Sequence, residues 1–179
     1  MNHSDEVSAL IDRLYGKGVN STNRLSFLLS LLHGRPTEVF WPVFLETWSR
    51  CDDTWHERRW MLFMLRQHGS AKSGNAGRSR DFMSVDGRSF FDSLPDLITI
   101  YRGCSRPRVR GLSWTTDQRV ARTFARGHRG IRVPAPVIVT ARIPKVAIFA
   151  VITDRDESEL IIDPIRLRNL ATTGIDDAN

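Results

Sequence analysis

A change in the spacing of apolar residues divides this sequence of 179 residues into two parts. Before residue 69, apolar side chains recur at helical intervals, as in the stripe formed by Leu25, Leu28, Leu29 and Leu32. Beyond residue 80, they gather in short runs rich in β-branched residues, which are typical of strands. Helices followed by strands predict an α+β fold, with an N-terminal helical region and a β-sheet core behind it.

The segments that we expect follow from this change. A helical lobe at 1–68 leads through a loop or linker at 69–80 to a strand-rich core at 81–179, all packed as one compact domain. Trp41, Trp48 and Trp55 recur every seven residues in the lobe, which predicts a buried stripe. In the core we expect a helix at about 117–126 and strands at 97–101, 111–116, 136–143, 147–152 and 159–162.

Cysteine usage and hydropathy indicate the cellular environment. Cys51 and Cys104 are far apart and have no metal-like spacing, so we expect a reduced chain with neither a disulfide framework nor a metal site. The longest apolar run, 25–32, is too short to cross a bilayer, and acidic residues precede it where a signal peptide would be basic. The expectation is a soluble, cytoplasmic protein that does not bind membranes.

Positive charge is concentrated in one segment. Residues 102–132 contain nine arginines and a single acid, Asp117, which gives a local charge of +8 in a chain of net charge +6. Such a surface attracts phosphates or nucleic acid. The alternative is a general compositional preference, because the whole chain has 23 arginines and 3 lysines.

Arg102 is the first residue that indicates specific chemistry. In an extended strand it shares a face with Ile98 and Ile100. A buried guanidinium needs a planar or anionic partner, so we expect either a phosphate or, as the structural alternative, a carboxylate in an ion pair. Gly103 then allows a backbone or a ligand to approach closely.

Two further patterns lie downstream. Ser113 and Thr115 share one face of an expected strand, which predicts a polar cleft, although Thr115 or Asp117 could instead cap the following helix. Glu157 and Glu159 are two residues apart and lead directly into an apolar strand. Two carboxylates on one strand face repel each other, so they either lie in water or serve a site.

Together these segments resemble a known family. The residues that match are Tyr101-Arg102-Gly103, Leu112-Ser113-Trp114-Thr115 and Glu157-Ser158-Glu159. Their order and spacing resemble the ADP-ribosyltransferase family, in the toxin-like branch whose signature is arginine, Ser-Thr-Ser and Glu-x-Glu. The likeness covers roughly 95–170, and Ser-Trp-Thr replaces the usual Ser-Thr-Ser.

The resemblance implies a fold and a substrate. Residues 81–179 would form a mixed β-sheet core that binds NAD as co-substrate, without a metal. Arg102 would hold a phosphate of NAD, the Gly103 backbone would face the nicotinamide amide, and Ser113 and Thr115 would line the nicotinamide-ribose site. Ser113 would also orient Glu159.

It also implies the roles of the two glutamates. Glu159 would bind the ribose hydroxyl and stabilise the cation that forms as nicotinamide leaves, and Glu157 would orient or deprotonate the acceptor. The expected activity is mono-ADP-ribosyl transfer from NAD to a macromolecule, with protein arginine favoured. The alternatives are transfer to RNA or DNA, NAD hydrolysis, and a non-catalytic module that binds NAD or nucleic acid. A toxin of this class would have a neutralising antitoxin or immunity protein as partner.

Overall fold

The computed structural model describes residues 2–52, 54–69, 77–127, 132–153 and 158–175. The chain forms two compact units, Met1–Met83 and Ser84–Asn179. No helix in these described ranges is long and apolar enough to cross a membrane.

The first unit is helical, as the sequence predicts. Its helices are α1 (His3–Leu14), α2 (Arg24–Leu32), α3 (Thr37–Thr47), α4 (Arg58–His68) and α5 (Gly77–Arg80). The expected tryptophan stripe is confirmed at Trp41 and Trp48, which are fully buried in the core of this unit, whereas Trp55 is only half-buried. Phe40 and Phe44 pack beside Trp41, so aromatic rings form the centre of the helical unit.

The second unit contains the strands. Its elements are α6 (Val85–Ser93), β1 (Leu97–Ser105), β2 (Ser113–Thr115), α7 (Gln118–Arg126), β3 (Pro136–Pro144), β4 (Ile148–Ile152), β5 (Glu159–Ile162) and β6 (Arg168–Gly174). The α+β class, the five expected strands and the expected helix are confirmed. Two elements were not predicted: α6, at whose start the Ser84 hydroxyl accepts from the Gly87 N–H, and β6, whose side chains are mostly exposed.

The six strands of the described residues form one sheet in the order β4-β5-β2-β1-β3-β6. Every neighbouring pair is antiparallel, so the expectation of a mixed sheet is wrong. The connection through α7 leads from β2 to β3, which run parallel to each other. These two strands are not neighbours, because β1 lies between them and is antiparallel to both, so no parallel pair forms.

The sheet consists of two halves with a narrow joint. β1 pairs with β3 at nine positions, but the β1–β2 ladder in the described part of the chain is the single pair Tyr101↔Thr115. Only Lys145–Ala147 connects β3 to β4, four strands away. In a flat sheet this distance would be roughly 19 Å, whereas four residue steps reach about 14 Å at most. The sheet must therefore bend between β3 and β4.

Helix α7 packs on β1 at Gly103. A Cβ atom there would lie 1.8 Å from the carbonyl oxygen of Ala121 and 2.5 Å from the amide nitrogen of Ala125. Ala121 and Ala125 are themselves buried, so small residues on both elements allow this close approach. On the opposite face of β1, Ile98 and Ile100 are buried among the apolar residues of β3.

Candidate active site

The joint of the sheet carries a row of polar side chains. Glu159 pairs with Thr115, and Thr115 pairs with Tyr101. Directly paired residues of antiparallel strands project from the same face, so these three side chains form one row across β5, β2 and β1. Strand pairing thus brings together residues that are far apart in sequence.

Ser113 lies diagonally across the ladder from Glu159, because Ser113 itself pairs with Ile161. The Ser113 hydroxyl donates a hydrogen bond to Oε1 of Glu159. Both side chains are half-buried. A hydrogen bond to a carboxylate contributes more than one between neutral groups, so it holds the Glu159 carboxylate in a defined orientation.

The same serine also binds Arg102 through its backbone. Nη1 of Arg102 donates to the Ser113 carbonyl oxygen at 2.6 Å, and Nε donates to the carbonyl oxygen of Arg108 at 3.3 Å. The sequence predicts a carboxylate or a phosphate as the partner of Arg102. Among the described residues, Arg102 makes no ion pair and its donors reach these two carbonyls instead. Its positive charge is held in place without a described counter-ion.

Gly111 provides the space for this guanidinium. A Cβ atom at Gly111 would lie 2.4 Å from both Cζ and Nη2 of Arg102. Gly111 belongs to the same expected strand, 111–116, as Ser113, but its sequence position indicates no role toward Arg102. No sequence pattern indicates this contact, because it depends on how the chain between β1 and β2 turns back.

A thiol lies on the same strand face as the guanidinium. Cys104 is buried, and burial raises the pKa of its thiol, while the charges of Arg102 and Arg108 act in the opposite direction. A hydrogen bond with Arg102 also lowers this pKa. The Cys104 thiol is thus a neutral neighbour that leaves the charge of Arg102 uncompensated.

Thr115 and Gly103 have clear structural roles. The Thr115 hydroxyl oxygen accepts from the N–H of Asp117 at 3.1 Å, and Asp117 caps α7 by accepting from the Arg119 N–H at 2.8 Å. These hydrogen bonds agree with the alternative expectation that Thr115 and Asp117 serve the start of α7. Gly103 admits the backbone of α7. That both residues also bind NAD stays a prediction.

Glu157 lies outside the described residues, within 154–157. Its expected role toward an acceptor stays a prediction. The structure brings together the other three catalytic candidates, Arg102, Ser113 and Glu159, through two hydrogen bonds that converge on Ser113.

This arrangement places a carboxylate and a guanidinium on two sides of one residue. The carboxylate can stabilise positive charge that develops on a substrate, and the guanidinium can bind an anionic group. In the part of the chain that the structure describes, no cluster of three or more His, Cys, Asp or Glu residues could hold a metal ion.

Comparisons with known proteins leave the family open. No family model matches the chain, and searches of curated proteins and of solved structures find no match either.

Proposed function

We propose that this protein is a mono-ADP-ribosyltransferase that cleaves NAD at the nicotinamide–ribose bond and transfers ADP-ribose to a macromolecule. The observation that carries the proposal is the double contact of Ser113, whose hydroxyl holds Glu159 and whose carbonyl holds Arg102. These are the residues that match the three motifs of the family that the sequence resembles.

Arg102 binds a phosphate of NAD in this proposal. A guanidinium has five N–H donors in a planar fork, and the two carbonyls that it contacts leave donors for an anion. The space at Gly111 and the hydrogen bonds to the carbonyls of Arg108 and Ser113 hold the Arg102 guanidinium in one position. A guanidinium that is already held in place loses little conformational freedom when it binds a phosphate. Binding NAD phosphate would supply the counter-ion that the described residues do not.

Glu159 acts on the ribose. As the C–N bond breaks, nicotinamide leaves with the bonding electrons and positive charge develops on the ribose. A carboxylate fixed by Ser113 stabilises that charge without having to reorganise, which makes such electrostatic stabilisation effective. The acceptor then bonds to the anomeric carbon and gives up its proton, with Glu157 as the proposed general base.

Protein arginine is the favoured acceptor, because in the family that the sequence resembles the Glu-x-Glu form, here Glu157-Ser158-Glu159, usually accompanies arginine acceptors. The test incubates the purified protein with NAD labelled in the adenine ring, together with a mixture of proteins and RNA. Label on protein supports the favoured acceptor, and label on RNA identifies nucleic acid instead. Release of nicotinamide without labelling of either identifies an NAD glycohydrolase.

Glu157→Ala separates the two steps. In the proposal Glu157 serves the acceptor, so this variant loses transfer while it still releases nicotinamide. Equal losses of both reactions would contradict that role. A wild-type protein that releases no nicotinamide at all would refute the proposed function.

A further inference from the structure

Three aromatic rings are stacked on the surface of the helical unit. The ring centroids of His33 and Trp60 are 5.8 Å apart with an interplanar angle of 20°, and those of Trp60 and Phe63 are 5.3 Å apart at 16°. Trp60 is 44% exposed and Phe63 is 47% exposed. Large aromatic side chains are usually placed where burial stabilises the fold, so an exposed stack of them is informative.

Arginine side chains flank these rings on α4. The exposed positions of this helix are Arg59, Trp60, Phe63, Arg66 and Gln67. Residues three or four apart lie next to each other on a helix, so Phe63 has Arg59 on one side and Arg66 on the other. The opposite side of α4 contributes Met61, Met64 and Leu65 to the core. The outer face therefore combines flat rings with guanidinium groups.

We infer that this face of α4 binds single-stranded nucleic acid. Bases stack on the parts of the Trp60 and Phe63 rings that remain exposed, and the guanidinium groups of Arg59 and Arg66 contact the phosphates. Sites for single strands combine aromatic platforms with positive charge in this way, and every base has a π-face that can stack. A helix that docks into an apolar groove of a partner protein presents aliphatic as well as aromatic side chains. The exposed positions of α4 carry no aliphatic side chain, so this face does not fit such a groove.

This site is distinct from the proposed NAD site and does not depend on it. All of its residues belong to the first compact unit, whereas Arg102, Ser113 and Glu159 belong to the second. It is also distinct from the arginine-rich segment 102–132. Nucleic-acid binding and NAD cleavage can therefore fail or succeed separately.

The test measures the affinity of the full chain for unstructured, fluorescein-labelled RNA and DNA of about 20 nucleotides, by fluorescence anisotropy at low salt. The double variant Trp60→Ala/Phe63→Ala should bind at least tenfold more weakly, because each stacked base contributes substantially. Unchanged affinity, or no binding by the wild-type protein, would overturn the inference. So would self-association of the wild type, without nucleic-acid binding, that the double variant abolishes.

Control variants locate the site. Val85→Ala and Ile165→Ala, at residues that are each 71% exposed, should leave the affinity unchanged. Phe124→Ala changes an exposed aromatic residue on α7, within the arginine-rich segment. If Phe124→Ala weakens binding and the α4 double variant does not, the nucleic acid binds at α7 and the inference is wrong.

Tryptophan fluorescence gives a second measurement. Trp41, Trp48 and Trp114 are buried, and the guanidinium of Arg58 lies 3.6 Å from the ring centroid of the half-buried Trp55. Stacking of a base should therefore quench mainly Trp60. Trp60→Phe should lose most of this quenching, and quenching that persists in that variant would contradict stacking at α4.

Discussion

The hydroxyl of Ser113 donates a hydrogen bond to the carboxylate of Glu159 across the β2–β5 ladder. The two residues are far apart in sequence and meet because β5 pairs with β2. The same serine accepts a hydrogen bond from Arg102 through its backbone carbonyl. A side-chain change at residue 113 should thus affect Glu159 and leave the contact with Arg102 in place.

Ser113→Ala tests this separation. A hydrogen bond to a charged group is worth about 1.5–3 kcal/mol, so we expect nicotinamide release to fall by about ten- to a hundredfold. The Michaelis constant for NAD should change less than the turnover number, since Arg102 keeps its carbonyl partner. Ser113→Thr retains a hydroxyl and should restore most of the rate. Equal rates for wild type and Ser113→Ala would contradict the orienting role.

Gly111→Ala tests the position of Arg102. The added Cβ would lie 2.4 Å from the Arg102 Cζ atom, so the guanidinium has to move. We expect weaker NAD binding, measured by titration calorimetry, with a far-UV circular dichroism spectrum like that of the wild type. Gly16→Ala is the matched control, because its nearest atoms are backbone carbonyl oxygens at 3.3 Å in the helical unit. NAD affinity that is unchanged in Gly111→Ala would show that this position of Arg102 is not used.

Gly103→Ala should reduce stability. Its Cβ would overlap backbone atoms of α7, and neither element can yield as a flexible side chain would. Overpacking of a core costs about 1–3 kcal/mol, and each kcal/mol lowers the melting temperature of a chain of this size by about 2–4 °C. Thermal denaturation followed by circular dichroism measures the shift. A melting temperature equal to that of the wild type would mean that α7 does not pack against Gly103.

Alkylation of Cys104 should require unusually high pH. Burial raises the pKa of this thiol above its ordinary value, despite the opposing effect of Arg102 and Arg108. Only the thiolate reacts, so a raised pKa lowers the reactive fraction at any pH below it. In a Cys51→Ser background, the midpoint of the iodoacetamide pH–rate profile should lie at a higher pH for the folded protein than for the denatured protein. In denaturant it should fall to that of an ordinary thiol, and identical midpoints would contradict the prediction.

Regular periodicity made most of the fold predictable. The stripe in α2 and the β-branched runs of β1, β3 and β4 are strong local signals, and they located these elements correctly. β6 gave no such signal, because an exposed edge strand has no apolar alternation to reveal it. The antiparallel pairing of all neighbours was missed for a different reason: strand order is a property of the whole chain.

The candidate site was predictable only in part. Arg102, Ser113 and Glu159 could be identified as a group because residue type and order carry information. The contributions of Gly111 and of the Arg108 carbonyl could not be predicted. Every residue has a carbonyl, and a glycine in a sequence does not indicate which side chain will occupy the space beside it. Trp60 is exposed whereas Trp41 and Trp48 are buried, and this difference likewise depends on which side of α4 faces the core.

The most direct measurement compares nicotinamide release from NAD by the wild-type protein and by Glu159→Gln. The substitution keeps the shape of the side chain and an oxygen that can accept from Ser113, but it removes the negative charge. We predict release by the wild type and a rate at least about a hundredfold lower in the variant, the size expected when one electrostatic stabiliser is lost. Glu38→Gln, at an exposed position of α3, should retain the wild-type rate. Equal release by Glu159→Gln and the wild type would contradict the proposed mechanism.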